Sequence, residues 1–175
     1  VVDGTLAPYF EGMPQADYTH AFVEENELKV TVPDLSDKNI RKALKTHPVW
    51  QEYNSRCISC GACTIACSTC TCFTTRDVIY GDNPEVGERR RVAASCQIAG
   101  FDQMAGQKEF RSTAAERMRY KVLHKFHDYK ARFGEEHMCV GCGRCTRRCP
   151  EFISISATVN KVSAAVDEIR ATLER

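Results

Sequence analysis

A mainly α-helical fold is what this 175-residue sequence predicts, and three observations predict it. Met118, Val122, Phe126, Tyr129 and Phe133 recur at helical spacing behind Thr113-Ala114-Ala115-Glu116, which reads as a capping box, and Gly134 stops the run. Val159, Val162, Val166, Ile169 and Leu173 repeat the same period near the end of the chain. Two groups of closely spaced cysteines lie far apart and are each approached through helical sequence, an arrangement foreign to a small strand-rich domain.

Residues 1–35 read as irregular, with Pro8, Pro14 and Pro33 and one short alternating stretch, Leu28, Val30 and Val32, expected to form a strand. The chain opens on Val1, and these residues are expected to be the tail of an upstream domain, with the helical domain occupying 36–175. Ser36 is expected to cap a helix of about two turns through Ile40, Ala43 and Leu44. Pro48 begins another turn near Trp50 and Tyr53, which read as core. Residues 68–138 divide into a turn-rich part, marked by Gly81-Asp82-Asn83-Pro84, Gly87, Gly100 and Gly106, and the capped helix ending at Gly134.

Lys and Arg (24) nearly cancel Asp and Glu (23), which argues against a dedicated nucleic-acid binder. The densest basic spots, Arg89-Arg90-Arg91 and Arg147-Arg148, read as a solvated face ahead of a docking patch. No apolar run approaches the roughly 20 residues needed to cross a bilayer, so direct membrane insertion is not expected. Eleven cysteines are many, but tight triplets are poorly spaced for pairing with one another and hold metal only as thiolates. A reducing, cytoplasmic setting is therefore expected.

Cys57-x2-Cys60-x2-Cys63-x3-Cys67 and Cys139-x2-Cys142-x2-Cys145-x3-Cys149-Pro150 repeat one spacing, the ligand pattern of a cubane iron-sulfur cluster. Three cysteines placed every third residue fold a short loop around one corner of a cube, and the fourth iron takes a more distant thiolate. In two-cluster ferredoxins that thiolate comes from the other motif. Cys57, Cys60, Cys63 and Cys149 are thus expected to hold one 4Fe-4S cluster, and Cys139, Cys142, Cys145 and Cys67 the other. The predicted fold is accordingly an α-helical two-cluster ferredoxin-like domain with an irregular N-terminal segment. Such clusters shuttle single electrons. The sequence shows no Gly-rich dinucleotide fingerprint, nucleophile elbow or paired carboxylates, so substrate chemistry is expected elsewhere.

A zinc-stabilised binding module is the competing class, since four thiolates also make a zinc site. Zinc sites use two separated C-x2-C pairs, however, and a third cysteine at the same spacing favours the cube. Cys70, Cys72 and Cys96 exceed the eight ligands that two clusters need. They read as buried free thiols, as a substitute for Cys67, or as part of an additional metal site. His124 and His127, one helical turn apart, read as surface or packing histidines ahead of cofactor neighbours.

Beyond the ligands, Ser55-Arg56-Cys57-Ile58-Ser59-Cys60-Gly61, Cys70-Thr71-Cys72-Phe73, Gly87-Glu88-Arg89-Arg90-Arg91, Ala94-Ser95-Cys96, Met104-Ala105-Gly106 and His137-Met138-Cys139-Val140-Gly141-Cys142-Gly143-Arg144-Cys145 carry a wider likeness. Taken together they resemble the C-terminal half of the iron-sulfur polypeptide of anaerobic sulfite reductase, and with it the related beta subunit of cytosolic nickel-iron hydrogenases, or sulfhydrogenases. The chain departs from the family in having Ser68, not proline, after the fourth cysteine of the first motif. The resemblance implies an electron-transfer role within a larger complex. A flavin-bearing, NADH-binding partner of the sulfite reductase would take electrons from NADH, this chain would relay them, and a siroheme-containing partner would reduce sulfite to sulfide. The alternative it implies is the same relay serving a nickel-iron hydrogenase.

Overall fold

In the computed structural model, which describes residues 3–14, 16, 17, 19, 21, 22, 28–81, 83–134 and 136–175, the two helical stripes become the frame of the molecule. The first runs as α4 (Ala114–Leu123), a π-helical turn (His124–Asp128) and α5 (Tyr129–Phe133) without a break. Its start is the expected capping box: Thr113 Oγ1 accepts the Glu116 N–H at 3.2 Å, and Glu116 Oε2 accepts the Thr113 N–H at 3.1 Å. Gly134 ends it in a left-handed conformation, φ 70°. The second stripe is α7 (Ile155–Leu173), capped by Ser154. Phe133 and Leu173, the last members of the two stripes, are exposed; the rest of the apolar face turns inward because only that face meets other helices.

Helix α1 (Lys38–Lys45) packs on α7, and α2 (Glu52–Arg56) packs on α4. The cap of α1 is Asp37, whose Oδ1 accepts the Asn39 N–H at 2.7 Å, one residue beyond the expected Ser36. The Ser36 N–H is taken instead by Asp34. Leu44, Val159 and Val162 have no exposed surface, and Trp50, Tyr53, Val122 and Val166 have almost none. Leu35 belongs to the same core, so the packed region takes in the last residue of the expected N-terminal tail. Two hydrogen bonds resolve the polar atoms of the aromatic pair: Trp50 Nε1–H donates to the Leu44 carbonyl at 2.8 Å, and Tyr53 O–H donates to Thr158 Oγ1 at 2.9 Å. Burial pushes the Tyr53 hydroxyl up to about 12, so it stays a donor at neutral pH.

Two expectations of the sequence are corrected. The turn-rich part holds an antiparallel hairpin, β1 (Phe73–Ile79) and β2 (Gly87–Ala93), with Phe73 opposite Ala93 and Ile79 opposite Gly87. Gly87 is therefore a strand residue, and the reason for glycine is local: a Cβ there would stand 2.8 Å from the Val78 carbonyl oxygen. Arg89 pairs with Asp77 through two bonds of 2.6 and 2.9 Å, and Arg91 lies 3.8 Å over the Phe73 ring, so the basic run is a solvated, partly neutralised face. The strand expected at Leu28, Val30 and Val32 does not form. Asn160 of α7 takes the Thr31 N–H at 2.8 Å and donates to the Lys29 carbonyl at 3.0 Å, so a side-chain amide occupies the place of a neighbouring strand. The fold is helix-dominant with one small two-stranded sheet.

Because Leu44 is fully enclosed between α1 and its neighbours, Leu44→Ala is expected to cost about 3 kcal/mol through lost transfer energy and a residual cavity. Urea unfolding of the anaerobically prepared protein, followed by the emission of Trp50, measures it.

Candidate iron-sulfur centres

Each cysteine motif is built from the same backbone device. The first leaves α2 at Cys57, passes through left-handed Ser59 and Gly61 (φ 57° and 75°), and enters α3 (Ala62–Ile65), which carries Cys63. The second passes through left-handed Gly141 and Gly143 (φ 66° and 67°) into α6 (Arg144–Arg147), which carries Cys145. A left-handed residue on either side of the middle cysteine curls the loop around one side, so its thiol and its neighbours face a common space. Gly61 is also sterically required, since a Cβ would lie 2.9 Å from Ser95 Oγ. Ser59 stands where the second motif has glycine, at a backbone cost of roughly 1 kcal/mol. Its hydroxyl is held at 2.9 Å by Nη2 of Arg117, a buried side chain of α4 that also donates to the Arg111 and Ser112 carbonyls.

Helices α3 and α6 are neighbours, and that juxtaposition brings the two motifs together around two cavities. One cavity is lined by Cys57, Cys60 and Cys63 of the first motif and by Cys149 of the second. The other is lined by Cys139, Cys142 and Cys145 of the second motif and by Cys67 of the first. Cys63 and Cys145 border both. None of the eleven cysteines is in a disulfide.

The interior around these thiols is cationic. The buried charged residues are Arg117, Lys121 and Lys125, and no Asp or Glu is buried among the described residues. Lys125 Nζ sits 3.3 Å from Cys67 Sγ and 3.4 Å from Thr69 Oγ1. Burial works against a Cys67 thiolate, yet hydrogen bonds from Thr69 and the Lys125 charge outweigh it and hold the thiol below its ordinary value. Burial likewise opposes the Lys121 ammonium, but Cys63, Cys145 and Cys96 reverse the effect and keep it charged. Cys145 is raised chiefly by its own burial, only partly relieved by Lys121. An unpaired buried cation is costly. Sets of four thiolates around an iron-sulfur core supply the anion these lysines lack, so the residues present fit such a group.

Lys121 and Lys125 escaped the sequence reading. The signal available was a pair of lysines four residues apart, each directly beside a member of the apolar stripe, Val122 and Phe126, on one capped helix. Of the two histidines, His124 borders a third cavity and stacks on Tyr120 at 5.4 Å, whereas His127 faces a groove on the other side of the helix. Cys70, Cys72 and Cys96, scattered in sequence, all border that third cavity.

Paired thiol cavities joined by short helices, with cations and no carboxylate buried between them, define an iron-sulfur electron-transfer domain. The model of the 4Fe-4S dicluster domain matches residues 56–153, and the chain belongs to that family. Over 143 residues the chain is 32% identical to the beta subunit of sulfhydrogenase 2 of Pyrococcus furiosus; the alignment takes in 79% of this chain and 41% of that one. The chain thus spans less than half the length of that relative. No solved structure matches it. Among the described residues no helix is long and apolar enough to cross a membrane.

Lys121 borders both motif cavities, so Lys121→Met is expected to lower the reduction potential of the clusters. The buried cation favours the more negative reduced state, and a unit charge about 8 Å away at an effective dielectric of about 20 contributes on the order of 2 kcal/mol. A potentiometric titration monitored by electron paramagnetic resonance reads the shift.

Proposed function

We propose that the chain is the electron-relay part of a beta subunit of a cytosolic nickel-iron hydrogenase of the sulfhydrogenase type, and that it holds two 4Fe-4S clusters with crossed ligands. Cys57, Cys60, Cys63 and Cys149 hold one cluster; Cys139, Cys142, Cys145 and Cys67 hold the other. The observation that carries the reading is the composition of the two cavities, each bordered by three thiols of one motif and the last thiol of the other. Buried Lys121 and Lys125 answer the charge of such clusters. Cys60 and Cys142 reach the surface, which gives each cluster an outer corner through which electrons pass to a partner.

The choice of complex rests on the relative. The motifs and their flanks lead to an expectation of sulfite reductase, with the hydrogenase relay as its alternative. The matched curated protein is a sulfhydrogenase beta subunit, which supports the alternative and lends nothing to the siroheme assignment. In this reading a flavin-bearing partner and a large nickel-iron partner flank the relay, and the chain itself performs no substrate chemistry.

Crossed ligation carries an asymmetric consequence: Cys149→Ser is expected to damage the cluster of the first motif more than that of the second, although Cys149 lies in the second. Mössbauer spectra of the reconstituted variant count the two separately, and loss confined to the second cluster defeats the crossed scheme. For the complex, the test is its isolation from native cells by a tag on this chain. The clusters are expected to bleach under hydrogen gas and to stay reduced when sulfite is added. Clusters that ignore hydrogen but are reoxidised by sulfite restore the sulfite reductase reading.

A further inference from the structure

The hairpin contributes almost nothing to the core, since nearly every residue of β1 and β2 is exposed. What it does is join its own two ends. Cys70 follows directly from the first motif, its N–H bonded to the Cys67 carbonyl at 3.1 Å, and Cys72 immediately precedes β1. Beyond β2 the ladder continues for one more bond, Ala94 N–H to the Cys72 carbonyl at 3.2 Å, and this sets Cys96 beside Cys72. The register Phe73 to Ala93 therefore converts a long sequence separation into a cluster of three thiols.

These thiols border one cavity whose opposite wall is the α4 helix and its π turn. His124, the first residue of that turn, lines it, as do Lys121 and Lys125. Interruptions of this kind in a helix frequently mark functional sites, because they re-aim a side chain that regular winding would turn away. Lys121 borders all three thiol cavities of the molecule and is the cation they share.

The sulfurs lie among hydrogen-bond donors rather than apolar packing. Cys72, Gln97 and Thr64 hydrogen-bond with the Cys96 sulfur, and Lys121 lies close enough to act on it through its charge. Gln97 Nε2 lies 3.7 Å from Cys96 Sγ, and the backbone N–H of Cys72 lies 3.5 Å from Cys70 Sγ. Amide bonds to sulfur of this sort are what tune iron-sulfur clusters. A cysteine serving only as core packing has apolar neighbours; Cys96 has an ammonium, an amide and a hydroxyl.

We propose that Cys70, Cys72 and Cys96, with His124 as fourth donor, hold a third iron-sulfur cluster. The proposal rests on the cluster reading of the two motifs given above. A single zinc ion is the poorer occupant: no three His, Cys, Asp or Glu side chains among the described residues converge as they do around one ion. The thiols of the two motifs likewise stand around cavities, and those of the third set border a cavity in the same way.

The test is iron, acid-labile sulfide and zinc per full chain after strictly anaerobic preparation, for the wild type and for Cys72→Ser, Cys96→Ser and Cys70→Ser. The wild type is expected to hold about twelve irons and twelve sulfides, and each variant to lose about four of each while keeping about eight. Should the Cys96 variant fail to fold, Mössbauer spectra of the wild type count the clusters without it. Nitrogen coupling to one reduced cluster, absent in His124→Ala, identifies the fourth donor. About eight irons in the wild type, unchanged in the variants, overturns the third cluster and leaves the two-cluster relay intact. One zinc lost with the same variants also overturns it. Fewer than eight irons in the wild type defeats the relay reading itself, and this inference with it.

Discussion

Lys121 and Lys125 carry their ammonium groups into an interior that holds no buried carboxylate among the described residues, and charges so placed are costly unless an anion or a full set of acceptors answers them; here cysteine sulfur lies beside them. Much of the architecture follows from that condition. The helix bearing both lysines must lie against the cysteine loops, which is achieved by packing it on α2, the element that delivers the first loop. Its far end must return the chain to the second loop, and Gly134 turns it there. The apolar core of Leu44, Trp50, Tyr53, Val122 and the valines of α7 sits beside this charged region and holds the helices that frame it. Folding and cofactor binding are consequently one process in the cysteine region, because without anionic sulfur the buried cations oppose closure.

Much of this was legible in the sequence because it depended on local rules. The capping box at Thr113, the helical periods around Val122 and Val162 and the cysteine spacing each follow from a few neighbouring residues, and each recurs in the structure. The hairpin was not legible. Neither of its faces is buried, so its strands carry no apolar alternation, and Arg89-Arg90-Arg91 read as surface rather than as strand. The reverse error at Leu28, Val30 and Val32 has a matching cause: the alternation is present, but the partner there is the side chain of Asn160 rather than another strand. For Cys70, Cys72 and Cys96 the sequence left an additional metal site as one of three readings, and their gathering around one cavity is visible only once the register of β1 and β2 is known.

The family and the complex are statements of different reach. Membership of the 4Fe-4S dicluster family follows from a match spanning the whole region between and including the two motifs. The complex depends on what lies around that domain, and a relay domain is chemically indifferent to whether its electrons come from hydrogen or go to sulfite. That indifference explains why residues flanking the cysteines pointed to sulfite reductase while the curated relative belongs to a sulfhydrogenase: both complexes need the same wire, and selection on the wire acts through its spacing, charge and exposure.

The two middle cysteines, Cys60 and Cys142, are both exposed, and each has an exposed aliphatic residue two positions before it, Ile58 and Val140. Surface apolar groups beside a cluster corner are a seat for another protein's surface, and the same corner is the point at which dissolved oxygen meets the inorganic core. On the proposed relay role, a docked neighbour would act as a stopper as well as an electron acceptor. On the proposed ligation, the lifetime of the clusters in air is then set by how completely those two corners are covered, so that assembly, rather than any residue of the chain alone, would make the relay durable.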